Sequence, residues 1–203
     1  MKYNLELLKS KIAAIVPAAH TEGGEATLLI NIDGKKYLDR RSTRWIIKKL
    51  ALLFNIDLQA VRKNYGPQLG RKRYIPVPLG IELIYLPLTL KTDTFPVNRK
   101  MGYISLVQIE GTKEEKQNNI ILLRSGQKLL CFNTSKTIQL RLKEGRLLQK
   151  ILISELLPEN PFYYVQQKTT CAAKAICREK RPHYTNTVSD SFAAAQDDNF
   201  NDK

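Results

Sequence analysis

Between Lys35 and Arg73 the sequence sets Lys35, Lys36, Arg40, Arg41, Arg44, Lys48, Lys49, Arg62, Lys63, Arg71, Lys72 and Arg73 against two acids, Asp39 and Asp57. Twelve cations against two anions leave +10 of a formal net charge of +14 in this one segment. Groups of this kind recognise anions at several points at once, because guanidinium forks and ammonium groups pair with phosphate oxygens, and each phosphate neutralised on a polyanion releases counterions. Nucleic acid is therefore the leading partner class, with an anionic membrane surface second. A solvated charged helix face is the plain alternative, but the cations run on past two helical stretches into "GRKR", three successive cations that suit a loop pressed against phosphates.

Chemistry that needs a reactive centre is poorly supplied. The two histidines, His20 and His183, fall in polar stretches, and no phosphate-binding loop, G-x-S-x-G, H-E-x-x-H or dinucleotide fingerprint is present. Glu114-Glu115 lies between Lys113 and Lys116 and reads as an exposed loop. Tyr65 is the one tyrosine beside the cations that a strand-cleaving enzyme could use, and its expected role is to close a helix against the core. The three cysteines, Cys131, Cys171 and Cys177, form an odd set expected to be reduced. Cys171, Cys177 and His183 are spaced more widely than the short C-x-x-C pairs of zinc sites and lack a fourth ligand nearby. No catalytic residue, metal or cofactor is expected, and the chain reads as a non-enzyme.

The elements that must position the cations follow from periodicity. From Ser42 to Phe54, with Arg44 at zero and about 100° per residue, Ile46, Ile47, Leu50, Leu53 and Phe54 fall between about 180° and 300°. Arg40, Arg41, Arg44 and Lys48 fall within about 60° of zero on the same count, nearly opposite. Asn55 tolerates a left-handed turn, Asp57 can cap a second helix, "LQAVRKNY", and Gly66-Pro67 is expected to stop it. Helix, short turn, helix predicts a basic helix-turn-helix-like pair with Gln59, Arg62 and Lys63 pointing outward to bases or phosphates. Trp45 is expected at the edge of the packing face.

The rest of the chain supplies a sheet. "ATLLINIDGKKYLDR" predicts a hairpin about Asp33-Gly34. "RYIPVPLGIELIYLPLTL" is β-rich, but Pro76, Pro78 and Pro87 predict short or edge strands. "GYISLVQIE" alternates, and "NIILLRSGQKLLCF" turns at Ser125-Gly126, for four to six strands in all. "SKTIQLRLKEGRLLQKILISELL" predicts one long helix, capped by Thr134 or Ser135 and ended by Pro158, with Gly145 a weak point. The N-terminal "LELLKSKIAAIVP" fits either a helix or a buried strand. The expected fold is α+β, an antiparallel β-sheet domain over residues 1–160 with two or three helices including a C-terminal one, followed by a polar, disordered tail over 161–203. No stretch approaches about 18 successive apolar residues and the N-terminus has no long uncharged apolar core, so a cytoplasmic location away from membranes is expected.

Several short segments, in order, resemble the competence transcription factor (ComK) family. They are "LDRRS" around Asp39, "YGPQLGRKR" from Tyr65 to Arg73, the "IPVPL…IYLPL" pair, "GYISL" at Gly102 and the "GQKLL" that leads into the long helix, spanning roughly residues 9 to 150. Family members read D-R-S, then Y-G-x-x-x-G-R, a proline-marked strand pair, W/Y-I-S and a hydrophobic helix. The resemblance implies a bacterial, sequence-specific activator of DNA-uptake genes that works as a homo-oligomer on A/T-rich duplex DNA, approached from the minor groove. By position, Arg40, Arg41, Gly70 and Arg71 fall in the matching motifs and are the first residues implied in DNA contact. The chain departs from the family pattern between Ser42 and Tyr65, where the two-helix element stands as an insertion. That puts the groove in question, since a second helix can read the major groove while Arg71 and its neighbours probe a narrow A/T minor groove. RNA binding, which stacks bases on exposed aromatics, is the other nucleic-acid class, but Tyr74, Tyr85 and Tyr103 are interleaved with aliphatics and are expected in or beside the core.

Overall fold

Apolar alternation and turn chemistry produce one large antiparallel sheet. The computed structural model describes residues 3–20, 23–90, 100–115 and 118–156. These belong to a unit spanning Met1–Pro158, and the second unit, Glu159–Lys203, which contains the expected polar tail and Cys171, Cys177 and His183, lies outside the described residues. The chain runs α1 (Leu5–Leu8), β1 (Ile12–Ala19), β2 (Glu25–Asn31), β3 (Lys36–Asp39), α2 (Thr43–Leu53), α3 (Leu58–Gln68), β4 (Val77–Pro78) and β5 (Ile84–Leu90). It continues through β6 (Lys100–Ser105), a short 3-10 turn at Leu106–Gln108, β7 (Ile109–Glu115), β8 (Asn118–Leu123), β9 (Lys128–Cys131) and α4 (Ser135–Leu156). The sheet order is β3-β2-β1-β6-β5-β9-β8-β7, with β4 paired to β5.

The described residues thus hold nine strands and four helices, more than the four to six strands and two or three helices expected. The N-terminal stretch resolves into both alternatives in succession, a one-turn helix capped by Asn4 and then the buried strand β1. The β2–β3 hairpin turns at Gly34 with φ +77°, and β8–β9 at Gly126 with φ +78°, as the sequence predicts. Glu114 and Glu115 are exposed but sit in the outer strand β7 rather than in a loop.

Proline placement overturns one expectation. β4 is short, but β5 is a seven-residue strand in the middle of the sheet with Pro87 inside it. Thr89 turns its N–H to Asn133 Oδ1 (2.7 Å) and its carbonyl to the Phe132 N–H (2.9 Å), both away from β6. Pro87, two residues earlier, shares that direction. On that side β4 pairs only with Ile84 and Tyr85, and β9 only with Leu90, so the missing donor of Pro87 falls in a gap between partners.

Both faces of the sheet are covered. On one face α4 buries Ile138, Leu142 and Leu148 against Leu86, Leu88, Ile104 and Leu123. On the other, α2 buries Ile46, Ile47, Leu50 and Ala51 against Ile12, Ile15, Leu29 and Tyr85. Tyr85 is fully buried, and its hydroxyl donates to the Ile12 carbonyl at 2.8 Å, next to the register shift in β1.

Gly145 is a fitting point rather than a weak one. A Cβ there would stand 2.6 Å from Leu86 Cδ2, so the absent side chain lets α4 lie close on β5. Gly145→Ala is expected to destabilise the fold, because about 1–3 kcal/mol of overpacking outweighs the roughly 1 kcal/mol helix gain of alanine. A lowered urea midpoint would register the loss, and an unchanged or raised midpoint would show that Leu86 has room to move.

Candidate nucleic-acid interface

The basic segment forms a corner, two helices and a loop, each fixed by a different local device. At the corner the buried carboxylate of Asp39 accepts from the Arg41 backbone N–H (2.8 Å), from Arg41 Nε (2.8 Å) and Nη2 (2.5 Å), and from the Tyr3 hydroxyl. Burial pushes the Asp39 carboxyl up, but these hydrogen bonds outweigh it and hold it below its ordinary value. Thr27 Oγ1 donates to the Arg41 carbonyl at 2.7 Å, which ties the corner to β2. The Arg41 guanidinium also lies 3.9 Å over the Trp45 ring. Arg41 is partly exposed yet occupied structurally, and Trp45, expected at the packing edge, is an exposed ring covered by a cation.

Ser42 caps α2 by accepting from the Trp45 N–H at 3.3 Å, and Asp57 caps α3 by accepting from the Gln59 N–H at 2.7 Å. Between them Asn55 takes φ +56°, the left-handed turn its residue type suggests. With Ile46, Ile47, Leu50 and Ala51 buried, Arg44 and Lys48 are exposed on α2, and Arg40 is exposed just before it. On α3, Gln59, Arg62 and Lys63 are exposed while Val61 is buried. Lys48 and Gln59 border a hollow at the turn between the helices. Arg62, Lys63, Pro67, Gly70, Arg71 and Lys72 line a second, open concavity of about 510 Å3.

The second helix does not stop at Gly66-Pro67. It runs to Gln68, and the real stop is Gly70 at φ +62°. There the Arg71 N–H bonds back to the Gly66 carbonyl at 2.8 Å and the Gly70 N–H to the Pro67 carbonyl at 3.0 Å, the paired bonds of a Schellman cap. Gly66 is needed for this return, since a Cβ would meet the Arg71 carbonyl oxygen at 2.8 Å. Pro67 sits late in the helix with its ring exposed. Gly70 therefore shapes the helix end.

The loop that follows splits the "GRKR" cations. Arg71 turns inward and donates from Nε to Glu144 Oε1 on α4 at 2.6 Å. Arg141, itself buried, donates from Nη1 to Glu144 Oε2 at 2.9 Å and to the Tyr74 carbonyl at 2.8 Å. Lys72 and Arg73 stay exposed. Tyr74, expected in a strand beside the core, is in none; it is 55 % exposed with φ +56°. Tyr85 is wholly buried and Tyr103 half-buried, as the aliphatic interleaving suggests.

Tyr103 feels the charge of both helices. Burial pushes its hydroxyl up, and the positive charges of Arg44 and Arg62 pull the other way, with Tyr74 also within electrostatic reach. One residue from each helix and one from the loop thus lie within electrostatic reach of the Tyr103 hydroxyl in β6. Compared with protein-family models, curated proteins and solved structures, the chain matches none.

The sequence singles out Arg44, Lys48, Gln59, Arg62, Lys63, Lys72 and Arg73, and all of these are exposed; Arg71, Arg41 and Gly70 have structural work as well. Asp39, Glu144 and Arg141 organise the surface without having been singled out. No group of three or more His, Cys, Asp or Glu side chains placed to hold a metal occurs among the described residues, and no described helix is long and apolar enough to cross a membrane.

Proposed function

We propose that this chain is a non-catalytic, sequence-specific DNA-binding transcription regulator of the kind the competence-factor resemblance implies, acting in the cytoplasm as a homo-oligomer on A/T-rich duplex DNA. In this reading α2 and α3 are a helix-turn-helix-like pair. Gln59, Arg62 and Lys63 on α3 face the groove, and Arg44, Lys48, Lys72 and Arg73 hold the phosphates on either side. The observation that carries the reading is that Arg44, Lys48, Arg62, Lys63, Lys72 and Arg73 are all exposed, with Arg62, Lys63 and Lys72, from α3 and the loop after it, bordering one open concavity. Exposed cations from a helix and a loop line one hollow there, and a polyanion would neutralise them together.

The test is binding of the purified protein to a labelled random duplex across a salt series, competed by A/T-rich duplex, G/C-rich duplex and single-stranded RNA. The expected result is affinity that falls steeply with salt and A/T-rich duplex as the strongest competitor. Absence of binding at low salt overturns the reading. Single-stranded RNA as the better competitor would favour the second reading, an RNA-binding protein, which the exposed Tyr74 beside Lys72 and Arg73 supports.

A further inference from the structure

We infer that Tyr74 contacts a nucleobase directly, its ring held outward to stack at an opened base step of the bound duplex; the inference rests on the DNA-binding reading above. The ring is 55 % exposed, so it returns little to the core. Its backbone nevertheless sits at φ +56°, a region that bulky L-residues avoid and glycine enters freely. A residue that is both strained and unburied is kept there by its surroundings, and such positions concentrate at binding sites.

The surroundings are rigid. Arg71 is anchored to Glu144 and, through its N–H, to Gly66; on the other side Ile75 is buried, and the Tyr74 carbonyl itself is gripped by Arg141. Lys72, Arg73 and the Tyr74 ring therefore project from a segment fixed at both ends. Two exposed cations directly before the ring, Lys72 and Arg73, can neutralise phosphates flanking a base step. A single-strand platform would present a row of rings. Among the described residues the other exposed aromatic ring, Trp45, is covered by Arg41 at 3.9 Å, which leaves Tyr74 as a single uncovered ring rather than one of a row. A wedge of this form suits a flexible pyrimidine–purine step such as TpA, which unstacks at low cost.

The experiment uses an A/T-rich duplex carrying 2-aminopurine at TpA steps, whose fluorescence rises when the base unstacks, together with wild type, Tyr74→Phe and Tyr74→Gly. Wild type and Tyr74→Phe are expected to bind alike and to raise the fluorescence. Tyr74→Gly is expected to bind about ten-fold more weakly with little fluorescence rise. Its melting temperature should be equal or higher, since glycine accepts the backbone geometry without strain. If Tyr74→Gly binds as tightly as wild type, or raises the fluorescence equally, the stacking inference fails while the DNA reading stands. If wild type binds no duplex, the DNA reading fails and takes this inference with it.

Discussion

Glu144→Ala is expected to cost the fold about 3–5 kcal/mol, the loss typical of removing one partner from a buried ion pair. Glu144 lies between two guanidinium groups, Arg71 at 2.6 Å and Arg141 at 2.9 Å, with the Glu144 and Arg141 side chains 7 % and 8 % exposed. Without the carboxylate, Arg141 stays buried with no counter-charge, and two cations repel across the space left behind. Against a total stability of about 5–15 kcal/mol for a domain, this is a large fraction. Glu144→Gln keeps the shape and part of the hydrogen bonding, so its loss should be smaller. Urea unfolding reads both, with a shifted midpoint at constant slope. A Glu144→Ala loss below about 1 kcal/mol would mean that water compensates the pair and that α4 does not clamp the loop.

Changing Arg44, Lys48, Arg62 and Lys63 together to alanine is the second large effect. All four side chains are exposed, so the fold should hold, while the phosphate contacts of Arg44 and Lys48 should flatten the slope of log affinity against log salt by about 1.8 when lost, and by up to about 3.6 where the groove-facing Arg62 and Lys63 also neutralise phosphates. Arg71→Ala is the informative control. Its charge is already matched by Glu144, so the slope should barely move while stability falls, and the loop's own phosphate contribution reduces to Lys72 and Arg73. An unchanged slope in the fourfold variant would remove α2 and α3 from the interface. A slope change in Arg71→Ala as large as that of an exposed lysine would show that Arg71 leaves Glu144 when DNA arrives.

The two helices of the basic segment were legible because local signals govern them. Ser42, Asn55 and Asp57 do in the structure what their residue types do in peptides. Where the sequence misled, the deciding partner lay far along the chain. The Gly66-Pro67 pair looked like a stop because the reading was local, whereas the helix end is set at Gly70 by bonds that return over it. Pro87 looked like an edge marker, yet it occupies a central strand at a gap that depends on where β4 and β9 pair. Cations read as one patch from Arg71 to Arg73 are divided by Glu144, more than seventy positions downstream. One signal was available: Arg141 and Glu144 interrupt the apolar face marked by Ile138, Leu142 and Leu148, where unpaired charges are not left. That spacing announces a buried pair, but not its third member.

The clamp on the loop also sets an order of events during synthesis. α2 and α3 are contiguous and self-capped, so they can form as soon as the underlying strands are available. The loop holding Lys72, Arg73 and Tyr74 reaches its final shape only after Arg141 and Glu144 have left the ribosome and α4 has docked, because those contacts close spans of 67 and 73 residues. A nascent chain would therefore display the basic helices for some time before it could present the ring, attracting polyanions through charge alone. On the DNA-binding reading proposed above, discrimination among sequences would arrive last, once α4 has docked.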